Sequence, residues 1–180
     1  GMGNFNESLL GTVSLALCHK YELPETIRQI AVHQPAALWN REQHGNTSSG
    51  PGQQTVNKVT YRTKDFMLSS AQDYRPGEPG GQEHLWQATL GPDAIVYVNH
   101  PACMSEEDAH LPNIWMGNGV RPRLAQWGDV LIAIHKLPQD DWLGFTHAYF
   151  PATAFDETAF RQNWAFARKG SAYLALTVAQ

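Results

Sequence analysis

Histidine is the residue type with the most chemistry to offer in this chain, and two of its eight copies bracket one stretch. His84 opens the run His84–Leu90, and His100 closes the run Ala94–His100. Between the runs stands Gly91-Pro92-Asp93. Proline presets φ, glycine tolerates positive φ and aspartate caps its own backbone, so the three residues make a turn. The pattern predicts a β-hairpin whose outer ends hold His84 and His100 close together. His110 follows in an irregular stretch over residues 101–119, punctuated by Pro, Gly and Asn. Zinc takes neutral imidazoles and carboxylates in tetrahedral sets, and loops at a sheet end can gather such ligands from separated positions. His84, His100 and His110 are therefore the candidate metal ligands, with zinc as the cofactor. The plainer reading makes them partly buried histidines bonded to backbone carbonyls.

A second constellation is His147 and Tyr149, which alternate on Thr-His-Ala-Tyr and so share one face of a strand, with His135 ending a neighbouring strand. Such a pair can serve as acid and base in proton abstraction. Its plainer reading is a polar strip on a solvated sheet face. Trp86, Trp115, Trp127, Trp142 and Trp164 offer indole faces on which a pyranose ring packs, or else they fill the core. Arg75, Arg121, Arg123 and Arg62 suit a carboxylated or sulfated saccharide if the fold brings them together. Trp86, Arg75 and Arg121 are the substrate-binding candidates. His19, His33 and His44 fit ordinary surface or packing roles, and Glu106-Glu107-Asp108 a solvated loop that could also supply a hard-metal ligand. The chain has no Gly-rich phosphate loop, Cys-x-x-Cys, His-Glu-x-x-His or Gly-x-Ser-x-Gly elbow.

The 180 residues suffice for one ordinary domain with a small appendage and a real core. A net charge of −4 provides no basic field for nucleic acid or an anionic membrane. No apolar run approaches the roughly 18 residues needed to span a bilayer. Cys18 and Cys103 lie in segments of different type and are expected as separate thiols. Gly1-Met2 resembles an expression-tag remnant, and no signal-peptide pattern follows it. The chain stops in an apolar, strand-like run, Tyr173-Leu-Ala-Leu-Thr-Val-Ala-Gln180, so a fragment truncated at its C-terminus is expected.

These residues need elements to position them. Asn4 with Glu7 has capping-box spacing, and Leu9, Leu10, Val13, Ala16, Leu17 and Tyr21 recur with helical period. Pro24, Glu25, Ile27, Ile30 and Ala31 predict a second short helix that stops by Pro35. The expected organisation is a helical segment over residues 1–42, a polar linker over 43–54 and an antiparallel β-sandwich domain over 55–180. Expected strands are Thr55–Thr63, Phe66–Tyr74, His84–Leu90, Ala94–His100, Val120–Trp127, Asp129–Leu137, Leu143–Phe150, Trp164–Arg168 and Ala172–Val178. A sandwich missing strands would leave an edge and an apolar face uncovered, which predicts a homodimer.

Helices, a linker and then many strands carry two motifs: Gly-Gly-x-x-His with Asn-His-Pro, and Trp164-Ala-Phe-Ala-Arg-Lys-Gly-Ser-Ala-Tyr-Leu-Ala-Leu. Together they resemble part of a heparinase II/III-like polysaccharide lyase. The resemblance covers residues 55–180 in pattern, with residues 4–34 as the end of the family's α-toroid. It also extends to a group of long bacterial and fungal proteins of no established activity. It implies a mainly β fold, an antiparallel super-sandwich of the galactose-mutarotase-like type. It also implies a structural zinc, with His84 at the zinc histidine, Asn99 or His100 at the acidic ligand and His110 at the third position. Two departures matter. Gln82 stands where the family has a catalytic histidine on this hairpin, and Asn-His replaces the acidic ligand. The family's catalytic tyrosine and other histidine come from the toroid, of which only the last two helices would be present.

The function implied for the parent is β-elimination on a uronate-containing polysaccharide, with this fragment inactive alone. The expected partner is a polysaccharide or oligosaccharide. A non-catalytic carbohydrate-binding or scaffold module is the competing class. A mutarotase-like sugar epimerase, with His147, or His84 beside Glu83, is the third. An exposed Trp strip without metal would favour the second, and a His/Glu pair in an open cleft the third.

Overall fold

The computed structural model describes residues 17–18, 20–33, 35–44, 55–78, 83–100 and 120–178. They divide into two compact units, Gly1–Gln34 and Pro35–Gln180. The described part of the first holds one helix, α1 (Glu25–Val32). Pro24 caps it, its carbonyl accepting from the Ile27 and Arg28 amides at 2.9 and 3.1 Å. Glu25 sits in the first turn, where the helix dipole favours an anion, and pairs with Arg28 at 2.8 Å. The helix expected from Asn4 falls largely on residues outside the described set.

The second unit is mainly β and antiparallel. Its five-stranded sheet runs in sequence order through β1 (Ala37–His44), β2 (Val56–Thr63), β3 (Met67–Gln72), β4 (Glu83–Thr89) and β5 (Ile95–His100). A hairpin joins β6 (Arg123–Trp127) to β7 (Val130–Ile134), and β8 (Glu157–Arg161), β9 (Trp164–Lys169) and β10 (Ala172–Thr177) make a three-stranded sheet in the order β10-β9-β8.

Two sequence expectations are corrected. The helical segment does not extend to residue 42, because Ala37–His44 is a strand and the sheet begins before the polar stretch instead of after it. Residues 43 and 44 therefore belong to β1, not to a linker. Ala37–His44 contains no β-branched residue, so local propensity gives no strand signal. Its register with β2, from Ala37↔Thr63 to His44↔Val56, makes it one. Leu143–Phe150 is not a strand either. Gly144 turns at φ +69°, its amide held by the Asp141 carboxylate at 2.8 Å, and only Tyr149 pairs, as a single bridge to Tyr97.

The core lies on one face of the five-stranded sheet. Register aligns Val59, Ser70, Trp86 and Val98 in one row and Tyr61, Leu68, Ala88 and Val96 in the next. Leu124 of β6, Phe155, Ala167 of β9 and Ala172 of β10 join Trp86, Ala88 and Val96 in one buried cluster, so all three sheets share it. Burial of this apolar surface is the main drive to assemble them.

Two polar devices align the sheets. The buried Ser70 hydroxyl donates to the Gln126 side-chain oxygen at 2.6 Å, and the Gln126 amide donates to the Leu68 and Gly128 carbonyls at 3.0 and 2.9 Å. Gln72 accepts from the Gln126 backbone amide at 3.2 Å and donates to Ser70, closing a ring between β3 and β6. The second device is the Arg168-Lys169-Gly170 stretch. The Lys169 ammonium donates to the Ala154 carbonyl at 2.7 Å and lies 3.7 Å from the carboxylates of Asp93 and Asp156. The Lys169 stem lies over the β4–β5 turn, where a Cβ on Gly91 would meet it at 3.4 Å, an ordinary contact. The Gly170 amide, and then the two basic residues, hold the Asp156 carboxyl below its usual range. In this chain the Arg-Lys-Gly motif is a fastener between β9 and the β4–β5 turn.

Candidate functional site

The β4–β5 hairpin forms as the Gly-Pro-Asp turn predicts, closed by the Leu90 amide on the Ala94 carbonyl at 2.9 Å. The register shifts once, between His84 and Trp86, and this bulge leaves Leu85 and Trp86 both buried although they are consecutive. The hairpin therefore presents different chemistry on its two faces.

On the inner face Trp86 and Val98 floor a cleft of about 400 Å³, walled by Leu131 and Ala133 of β7, His135, His147 and the end of β10 at Leu176–Val178. The indole Nε1 of Trp86 is buried without an acceptor among the described residues. Burial lowers the pKa of His135 and of His147 below the ordinary 6.5, so both rings are neutral at pH 7. No Asp, Glu, Lys or Arg lines the cleft among the described residues. An apolar floor with an indole and two neutral imidazoles suits an uncharged, hydroxyl-bearing surface.

On the outer face His84, Tyr97 and Tyr149 stack in a column. The imidazole lies 3.8 Å from the Tyr97 ring at 13°, and Tyr149 lies 4.9 Å from it on a near-parallel plane. Desolvation first, and then the neighbouring Tyr149, raise the Tyr97 pKa. The Gln87 side chain donates to Thr89 at 2.9 Å, so its oxygen faces His84 Nδ1 at 2.8 Å and accepts from it. That assigns the proton to Nδ1 and leaves Nε2 with its lone pair.

The sequence candidates are thus partly gathered and partly dispersed. His147 and Trp86 meet in the cleft, and His135 joins them. Tyr149 does not share the site of His147, because residues 146–148 are not a strand and the Tyr149 ring goes to the Tyr97 column. His100 pairs in backbone register with Glu83, beside His84, as the hairpin predicts. The side chain of His100, and His110 altogether, lie outside the described residues. Arg75 and Arg121 come together without lining the cleft. The Gly77 amide donates to the Arg121 carbonyl at 2.8 Å, and the Arg121 amide to the Glu78 carbonyl at 3.0 Å. The Arg75 guanidinium pairs with Glu78 at 2.7 Å, while Arg121 is only 4% exposed with its guanidinium 5.2 Å from the Tyr74 ring centroid. Trp39 and Arg41, absent from the sequence candidates, stand in the open against Trp127.

The two lowered histidines set a pH dependence. Between their folded pKa values and about 6.5 the unfolded chain binds more protons than the folded one, so stability rises with pH there. Stability is expected to be flat above about pH 6.5 and to decline as pH falls below it, levelling off once the folded rings protonate. Urea midpoints measured across that range check this, and a His135→Gln/His147→Gln variant should show a shallower decline. An equal slope in the variant would assign the dependence to other groups.

Compared with protein-family models, with curated proteins and with solved structures, the chain matches none.

Proposed function

We propose that this chain is the β-rich part of a carbohydrate-active protein related to polysaccharide lyases, and that its work is to bind saccharide in the cleft over Trp86 and Val98. The observation that carries the reading is the meeting of an indole with two neutral imidazoles on an apolar floor. The shared core of the five-stranded sheet with the β6–β7 and β8–β10 sheets supports a super-sandwich of the galactose-mutarotase-like type. Binding is favoured over turnover because β-elimination needs a base together with a cation or acid to neutralise the uronate carboxylate. The described cleft lining supplies imidazoles alone. An epimerase needs a carboxylate beside the imidazole, which that lining does not supply.

The zinc reading stays with His84. Its Nδ1–H is committed to Gln87, so Nε2 is the nitrogen that would ligate. His100 and His110 would complete the protein's share, and the metal would tie the hairpin end to the stretch that follows.

Calorimetric titration with a panel of short oligouronates and neutral oligosaccharides tests the proposal, with zinc per chain measured on the same preparation. Saccharide binding is expected, weakened about tenfold or more by His147→Ala, a loss of about 1.4 kcal/mol. No unsaturated uronate should accumulate. Absence of binding across the panel would overturn the reading.

A further inference from the structure

The inner face of the five-stranded sheet extends past the layer that covers it. On edge strand β1, Trp39, Arg41 and Gln43 recur every second residue and stand opposite Tyr61, Val59 and Asn57 of β2. Arg41 continues the row that holds Trp86 and Val98, and Trp39 the row of Ala88 and Val96, yet Trp39 is 40% exposed and Arg41, Gln43 and Asn57 are exposed. Trp127, at the end of β6 and 69% exposed, meets Trp39 edge to face at 4.5 Å between centroids. The Arg41 guanidinium lies 4.3 Å from the Trp39 centroid and 5.2 Å from that of Trp127. No carboxylate pairs with it among the described residues, the neighbouring Glu42 being held by Lys58 at 2.6 Å.

We propose that Trp39, Arg41, Gln43, Asn57 and Trp127 form a second saccharide subsite, selective for a sugar that carries a carboxylate. A guanidinium held against two indoles is fixed in place by cation–π attraction while its N–H edge remains available for a two-point grip on a carboxylate. The exposed indole of Trp127 supplies an apolar platform for the C–H face of the ring. The Gln43 amide nitrogen donates to the Asn57 side-chain oxygen at 3.0 Å, which leaves the Gln43 oxygen to accept from, and the Asn57 nitrogen to donate to, neighbouring hydroxyls. The described lining of the cleft, by contrast, offers no cation. The subsite therefore supplies the acid selectivity that the cleft lacks. This inference rests on the saccharide reading of the chain.

Indole N–H signals report the two places separately: Trp39 and Trp127 for the subsite, Trp86 for the cleft. Titration with trisaccharides of galacturonate, mannuronate and glucuronate, and with their neutral hexose counterparts, is expected to move the Trp39 and Trp127 signals with the acidic sugars. Arg41→Gln should weaken that response about tenfold or more, and Arg41→Lys by less. Shifts confined to Trp86 would overturn the subsite and spare the cleft. Equal response to neutral sugars, or indifference to Arg41→Gln, would overturn the acid selectivity. No shift at any of the three indoles would overturn both readings.

Discussion

Leu85→Ala is expected to destabilise the β-rich unit by about 3 to 5 kcal/mol, the range in which well-packed leucines fall when truncated. Leu85 is 1% exposed and sits at the bulge, where the strand turns two consecutive side chains into the core. A bulge has little freedom to collapse around a void, because its extra residue is what sets the local bend. The cavity term should therefore remain close to its full size. Urea denaturation reads the effect as a lower midpoint at an unchanged slope. A loss below about 1 kcal/mol would mean that the hairpin end repacks freely and that the bulge is not a rigid feature.

Gln126→Met is expected to cost about 3 kcal/mol, although the side chains are similar in length. The change leaves the Ser70 hydroxyl without its acceptor and takes one donor from each of the Leu68 and Gly128 carbonyls, and a buried group stranded in this way costs about 1–3 kcal/mol. The Gln126 backbone amide keeps its bond to Gln72, so the strand should hold its place. Adding Ser70→Ala removes one of the stranded groups. The double variant should then be more stable than the sum of the two single losses implies, by roughly 1 kcal/mol. Strict additivity would show that the ring is a set of independent contacts and that Gln126 acts through packing alone.

Much of the sheet was legible because its strands alternate and its turns announce themselves. The runs Thr55–Thr63, Phe66–Tyr74, His84–Leu90, Ala94–His100, Val120–Trp127, Asp129–Leu137, Trp164–Arg168 and Ala172–Val178 all contain strands. Two strands escaped, Glu157–Arg161, which pairs with the neighbouring β9, and Ala37–His44. Ala37–His44 is a strand because β2 lies beside it, and no residue within it says so. The cleft escaped in part for the same reason. His147 was visible as chemistry, but its company with His135 and Trp86 depends on how segments from β4 to β10 pack together. The assignment of His147 and Tyr149 to one face assumed a strand that Gly144 and the Asp141 turn interrupt. The motif Arg168-Lys169-Gly170 carried a family resemblance, while its visible work is to hold a turn.

The order of the strands has a consequence in time. Each strand of the five-stranded sheet pairs with its neighbour in sequence, so that sheet can grow hairpin by hairpin as a chain emerges, across connections of 3 to 11 residues. The surface it buries on completion is shared with β6, β9 and β10, and the Lys169 fastener reaches back to Asp93. Those contacts span long stretches of chain and close last. Without residues 164–177, Val96, Ala88 and Trp86 would lose part of their apolar cover, so truncation within those strands would leave a sheet face prone to association.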